Sequence, residues 1–181
     1  MSDSTETAIL AGGCFWCLEA VFQNVRGVHD AIPGYAGGHR ERPTYREVCT
    51  GGTGHAEVVR VRFDPQVIGF RELLAIFFSV HDPTQLNRQG NDVGPQYRSA
   101  IMPLDDNQER IAREVIREQD ASGVWNAPVV TAVEPGATFW PAEDEHRDFY
   151  QRNASQPYCQ LIIAPKLAHA RSAFPDRVSE E

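Results

Sequence analysis

The chain has 181 residues, enough for one domain with a full hydrophobic core and too few for two comfortable ones. Its formal net charge of −8, with no run of Lys or Arg, excludes a duplex nucleic-acid binder that relies on a basic face. The first seven residues are polar and acidic, and no long unbroken apolar stretch follows, so a cytoplasmic protein with no membrane segment is expected.

Ala8-Ile9-Leu10-Ala11 is a short apolar run suited to a buried strand, and after it Leu18, Val21, Phe22 and Val25 recur at helical spacing. Between them stands Gly12-Gly13-Cys14-Phe15-Trp16-Cys17, with two thiols three residues apart where strand gives way to helix. Cys14 therefore falls in the first helical turn. Unpaired N–H groups and the positive dipole end there favour a thiolate near neutral pH, a nucleophile ringed by the aromatic surface of Phe15 and Trp16.

Gly27 to Ile32 reads as a short strand stopped at Pro33-Gly34, with a Gly-rich loop beyond it through Gly38. From Ala56 to Asp64 the pattern alternates, with Val59, Val61 and Phe63 on one face and Arg60, Arg62 and Asp64 on the other beside Val58. By parity Glu57 belongs to the apolar set. If the strand includes it, burial raises its pKa and makes it a candidate general acid; if the strand starts at Val58, Glu57 sits in solvent. Both placements remain open on the pattern alone.

A core helix is expected over Phe70 to His81, then a polar loop from Thr84 to Gln96 of a size more often functional than idle. A strand at Tyr97 to Met102, a charged amphipathic helix at Asp105 to Gln119, a strand at Val129 to Val133 and a short helix at Ala142 to Arg152 follow. Residues 1–6 and about 172–181 are expected to be flexible. The whole reads as a single α+β domain over 1–181. Its expected architecture is a two-layer sandwich with a central mixed sheet, helices on its faces, long irregular loops and an irregular C-terminal segment.

Four cysteines fit a reduced compartment and a working dithiol better than a secreted disulfide scaffold. Cys49 reads as a small buried apolar residue. His55 either shares the polar surroundings of Glu57 or stabilises a turn; His29, His39, His81, His146 and His169 read as structural or solvated. Two rival functions stand beside the thiol reading. One is a thioredoxin-like dithiol oxidoreductase, although Phe15-Trp16 is an unusual spacer for it. The other is a zinc module on Cys14, Cys17, Cys49 and His55 or Cys159, whose ligands are too scattered for a finger.

Several ordered motifs complete the picture: Gly13-Cys14-Phe15-Trp16, Arg42-Pro43-Thr44-Tyr45, Thr53-Gly54-His55-Ala56-Glu57, His81-Asp82-Pro83-Thr84, Arg88-Gln89-Gly90-Asn91-Asp92, Gln96-Tyr97-Arg98-Ser99 and Ala142-Glu143. With them the chain resembles the A-type peptide methionine sulfoxide reductases from Ala8 to about Tyr158, departing from the family pattern at Arg42. The resemblance implies that Cys14 attacks the sulfoxide sulfur, Phe15 and Trp16 receive the substrate methyl group, Glu57 protonates the oxygen, Tyr45 and Tyr97 hydrogen-bond it, and Asp92 orients the network. It also implies specificity for the S epimer, free or in proteins, with no cofactor and no metal, and a disulfide reduced by thioredoxin. Cys159 ranks first as the resolving thiol and Cys17 second, with a relay between them open, because Leu161-Ile162-Ile163 after Cys159 reads as a strand that would restrain it.

Overall fold

The computed structural model describes residues 5–179. Its main sheet has six strands in the order β7-β6-β1-β3-β2-β8. These are β1 (Glu6–Gly12), β2 (Val28–Ala36), β3 (Ala56–Phe63), β6 (Ser99–Ile101), β7 (Ala132–Val133) and β8 (Trp140–Pro141). All neighbours are antiparallel except β6 and β7, so the sheet is mixed. A two-stranded ribbon, β4 (Arg88–Gln89) with β5 (Asp92–Val93), structures the long polar loop. The helices are α1 (Phe15–Phe22), α2 (Tyr45–Cys49), α3 (Phe70–Ser79), α4 (Asp106–Ala121), α5 (Phe149–Arg152) and α6 (Ala164–Ala173). None is long and apolar enough to cross a membrane.

Alternation in the strands separates two cores. Ala8, Leu10, Tyr35, Val59, Val61, Phe63 and Ile101 face α1, α3, α4 and α6, which contribute Phe22, Leu73, Phe77, Val115 and Leu167 among others. Ile9, Ala11, Ala36, Ala56, Val58 and Ala100 face the opposite way and are covered by Ala137 and Phe139 of a loop. The α+β architecture is as the sequence implies, with the core helices gathered on one face.

Four local expectations give way. The strand expected to stop at Pro33 continues to Ala36. A proline is tolerated there because β8 pairs only with Gly34 and Tyr35, leaving the rest of β2 as an edge. The helix expected over 142–152 is instead a single 3₁₀ turn, Asp144–His146, and the one-turn α5, separated by Asp148 in the left-handed region at φ 56°. The strand expected after Cys159, in a segment read as irregular, is a π turn, Cys159–Ile163, running into α6. Finally, the tail expected to be flexible from about residue 172 is docked as far as residue 179: Val178 is 1% exposed and bridges to Val25. Glu6 likewise begins β1, Thr5 before it is exposed, and residues 1–4 and 180–181 lie outside the described residues.

Candidate active site

The end of β1 turns into α1 through two glycines with different reasons. A Cβ on Gly12 would press within 3.1 Å of His81 and Phe77, and Gly13 takes a positive φ of 91°. His81 is itself locked beneath this turn. Its Nδ1 meets the Phe77 carbonyl at 2.7 Å and its Nε2 meets Ser99 Oγ at 2.8 Å, and burial lowers its pKa to about 4, so it is neutral packing.

Cys14 follows as the N-cap of α1, 7% exposed. No side chain of its own caps the helix; instead the first helical N–H, that of Phe15, donates to Glu57 Oε1 at 3.0 Å. Glu57 reaches it because β3 begins at Ala56 and runs antiparallel to β1, so the carboxylate stands at the sheet end where α1 starts. It is 1% exposed, and its Oε2 is buried with no hydrogen-bond partner among the described residues. Burial raises its pKa to about 8 against the opposing pull of the Phe15 N–H. The inward placement of Glu57 is thus the one that the fold adopts.

Tyr35, directly opposite Glu57 on β2, is fully buried and had been passed over as part of a loop. Its hydroxyl donates to Glu143 Oε1 at 2.8 Å, while the backbone N–H of Tyr45 donates to Glu143 Oε2 at 2.8 Å. Glu143 therefore fixes the start of α2 and with it Tyr45. The Tyr45 ring lies 6.1 Å from Phe15 and 4.6 Å from His146 between centroids. Tyr97 arrives from the 3₁₀ turn before β6. Burial, then the nearby Glu57 carboxylate, pushes the phenols of Tyr45 and Tyr97 well up, so both stay protonated donors.

Trp16 forms the outer wall. Its Nε1–H donates to His146 Nδ1 at 3.2 Å, and its ring stacks on Phe149 at 3.7 Å with a 4° tilt. His146, read as merely structural or solvated, is buried within this aromatic group, and burial lowers its pKa. Tyr158 meets Trp16 edge-on at 5.9 Å, donates to Asp92 Oδ2 at 3.1 Å and lies 3.9 Å from Cys17 Sγ. A cavity of about 340 Å³ opens beside Cys14 between residues 89–92, Tyr158, Ile162 and Lys166.

Three thiols share one buried cluster: Cys14, Cys17 at 2% exposure and Cys159 at 0%. Burial and the neighbouring Cys17 push the Cys14 thiol up, while Cys14 brings Cys17 down to about 7. The helix start alone does not give Cys14 a low pKa, because desolvation outweighs the dipole. Cys159 is raised by burial and by the charge of Cys17. Cys49 lies outside the cluster: it is exposed, not buried as its sequence context suggested. His55 is a turn stabiliser, with Nδ1 accepting from Gly38 N at 3.0 Å and Nε2 meeting the Arg40 carbonyl at 2.6 Å. Among the described residues no group of three or more His, Cys, Asp or Glu is arranged to hold a metal ion.

Comparison with known proteins agrees with this constellation. The family model for peptide methionine sulfoxide reductase matches residues 6–178. A peptide methionine sulfoxide reductase MsrA of Ralstonia nicotianae is 56% identical over 177 residues, covering 96% of this chain and 93% of its own. One from Thermus thermophilus is 55% identical over 169 residues, covering 93% and 95%. Among solved structures, Mxr1 from Saccharomyces cerevisiae in reduced form superposes with a TM-score of 0.80 at 33% identity, covering 86% of this chain and 89% of that one. Methionine sulfoxide reductase A of Corynebacterium diphtheriae gives 0.78 at 38% identity, covering 86% and 78%. With a buried thiol and a buried acid at one sheet end, and a family match over nearly its whole length, the chain belongs to the peptide methionine sulfoxide reductases and is an oxidoreductase.

Proposed function

We propose that the chain reduces methionine-S-sulfoxide to methionine, with Cys14 as nucleophile and Glu57 as the acid. The observation that carries the reading is the Glu57 carboxyl: one oxygen is pinned by the Phe15 N–H, the other is free, and its pKa is raised to about 8. Such a group is a neutral acid at pH 7, held by the residue next to a thiol.

Cys14 sulfur attacks the sulfoxide sulfur as its proton passes to Cys17, whose pKa the neighbouring Cys14 brings down to about 7. Glu57 gives its proton to the sulfoxide oxygen, and Tyr45 and Tyr97 hydrogen-bond that oxygen as charge builds on it. The S–O bond of the substrate breaks, oxygen passes to Cys14, and methionine leaves. The substrate sulfur is reduced by two electrons and Cys14 is oxidised to a sulfenic acid. Phe15 and Trp16 form the apolar wall for the methyl group, and Asp92 orients the network through Tyr158.

Cys17 is the first resolving thiol in this reading, ahead of Cys159. Its sulfur attacks Cys14 sulfur while the proton it took up in the first step passes to the departing hydroxyl, so that the S–OH bond breaks, water leaves, and a disulfide forms. A helix start has to open slightly to accept that bond. Cys159, packed against Cys17 in the same cluster, then exchanges with it and carries the disulfide outward. A thioredoxin-type dithiol completes the cycle; a solved structure of Mxr1 from Saccharomyces cerevisiae in complex with Trx2, 26% identical with a TM-score of 0.58, supports such a partner.

Reductant-free turnover with peptides carrying each sulfoxide epimer tests the reading. About one methionine per protein from the S epimer alone is expected, with matching loss of free thiols. No methionine from either epimer refutes it.

A further inference from the structure

Glu19 is a buried carboxylate that the chemistry above does not use. It is 1% exposed on the second turn of α1, three residues after Trp16, and among the described residues no salt bridge reaches its two oxygens. Instead Oε2 accepts from the backbone N–H of Asp148 at 2.7 Å and Oε1 from that of Phe149 at 3.3 Å. Successive N–H groups converge in this way only because Asp148 is left-handed, at φ 56° and ψ 34°, and Phe149 begins α5. The turn is an anion nest, and Glu19 fills it. Gln23, at the end of α1, adds a bond to Asp148 Oδ1 at 2.6 Å.

We propose that Glu19 is a positioning residue of the substrate pocket: by holding the Asp148–Phe149 turn it seats the Phe149 ring on Trp16 and so fixes the wall that receives the substrate methyl group. This rests on the assignment of Trp16 to that wall. One short helix then both presents Trp16 and anchors its stacking partner, which stands 3.7 Å away and nearly parallel. Among the described residues these are the bonds that the N–H groups of Asp148 and Phe149 make, while Arg152 braces the preceding carbonyls of Glu145 and Arg147.

A carboxylate is an unfavourable choice for stability alone at this position. Burial raises its pKa to about 7, with the two N–H bonds and Arg147 opposing and Asp148 adding to the rise. Asp30 and His29 of β2 line the same small cavity. An apolar residue would avoid the desolvation cost but could not accept two backbone N–H bonds. The carboxylate is therefore explained by what it holds.

The test is the first turnover without reductant, measured against peptide concentration for Glu19→Gln, Phe149→Ala and the double variant. Glutamine offers one acceptor oxygen where two are needed. Glu19→Gln is expected to raise the half-saturating concentration about tenfold while the maximal rate changes by about twofold or less, the size expected for one charge-assisted bond. Phe149→Ala should do the same, and the double variant should be no worse than Phe149→Ala alone. Glu19→Asp, which keeps both acceptors on a shorter arm, should fall between, and serves if the Gln variant does not fold. Unchanged half-saturation in the Gln variant, or multiplicative effects in the double variant, overturns the proposal.

A second readout is independent of the reaction. In a Trp125→Phe/Trp140→Phe background only Trp16 emits, and Glu19→Gln should red-shift its emission and open it to acrylamide quenching, as Phe149→Ala does. Unaltered emission overturns the proposal even if the wild type reduces sulfoxides. If the wild type reduces none, the emission alone decides the role of Glu19.

Discussion

Cys14 and Glu57 are held by regular elements neighbouring in the sheet, β1 into α1 and the start of β3, whereas His146 and Phe149 come from single turns and Tyr158 and Cys159 from the π-wound start of the last helix. The first pair sits on the sheet end, where a hydrogen bond from Phe15 N–H to the Glu57 carboxylate joins helix and strand. The second group is held by contacts across the fold: Trp16 to His146, Tyr158 to Asp92 and Cys17, and the Asp148 and Phe149 N–H groups to Glu19. The difference separates two needs of the proposed cycle. The attacking sulfur and the acid need fixed geometry, while thiol exchange needs a region that can yield.

The sharpest way to break the comparison is at Cys14. Cys14→Ser should leave no methionine formation above background, because the hydroxyl is not a nucleophile at neutral pH. Measurable single-turnover activity in that variant would place the chemistry on another thiol and remove the distinction between the rigid pair and its surroundings.

Glu57→Gln comes next. A drop of about 10²–10⁴-fold in the first turnover is expected, together with loss of the alkaline limb that ionisation of Glu57 near pH 8 gives the wild type. The same residue makes a stability prediction of opposite sign. With a folded pKa of about 8 against an ordinary value of 4.5, the native state holds the proton more tightly than the unfolded chain. Wild-type stability therefore falls as pH rises between those values, and the cost is complete above about 9. Glu57→Gln lacks that ionisation and should gain on the wild type through this window, by of order 3–5 kcal/mol at the alkaline end. Denaturant titrations at pH 5 and pH 9 measure it; an equal gap at both would mean that Glu57 is not buried as a neutral acid. Glu19 titrates in both proteins and cancels from the difference.

That Glu57 could be singled out at all reflects where periodicity works. In β3 the alternation of Val59, Val61 and Phe63 gives each residue a face, so a carboxylate on the apolar face is conspicuous. Cys14 was legible for the same reason, standing where a strand period changes to a helical one. Residues 142–163 carry no such period. Phe149 and Tyr158 are placed by a left-handed Asp148, by a Glu19 carboxylate more than a hundred positions earlier and by Asp92, all contacts across the fold. The strand read into Leu161-Ile162-Ile163 failed because β-branched propensity yields to the packing of Ile163 and Leu167 under a helix. Cys49 failed differently: a small apolar residue carries no sign of which helix face it occupies, and α2 is too short to show one.

Tyr45→Phe and Tyr97→Phe should each lower the maximal first-turnover rate about tenfold, the loss of one donor to a developing oxyanion, with the double variant worse than either. Tyr45 stands on the regular side through Glu143 and α2, and Tyr97 precedes β6, so neither loss should alter the titration of the clustered thiols Cys14, Cys17 and Cys159. A changed thiol count on denaturant-free titration would move these phenols from the oxygen to the cysteine cluster.

The smallest effect on the first turnover is expected at Cys159, and it is the most informative for the yielding region. Cys159→Ser should form methionine at a rate within about twofold of wild type and accumulate a Cys14–Cys17 disulfide, since Cys159 meets Cys17 and takes no part in the attack. Cys17→Ser should retain one turnover at a reduced rate, because Cys14 loses the neighbour that accepts its proton, while the Cys14 thiol, which Cys17 pushes up, ionises at lower pH than in the wild type. Its sulfenic acid should persist long enough to be trapped by a dione reagent. Mass mapping of the disulfide distinguishes the orders. A Cys14–Cys159 bond formed equally fast in the Cys17→Ser variant would mean that the turn region swings directly to the nucleophile, so that the adjacent thiol tunes the attack without resolving its product.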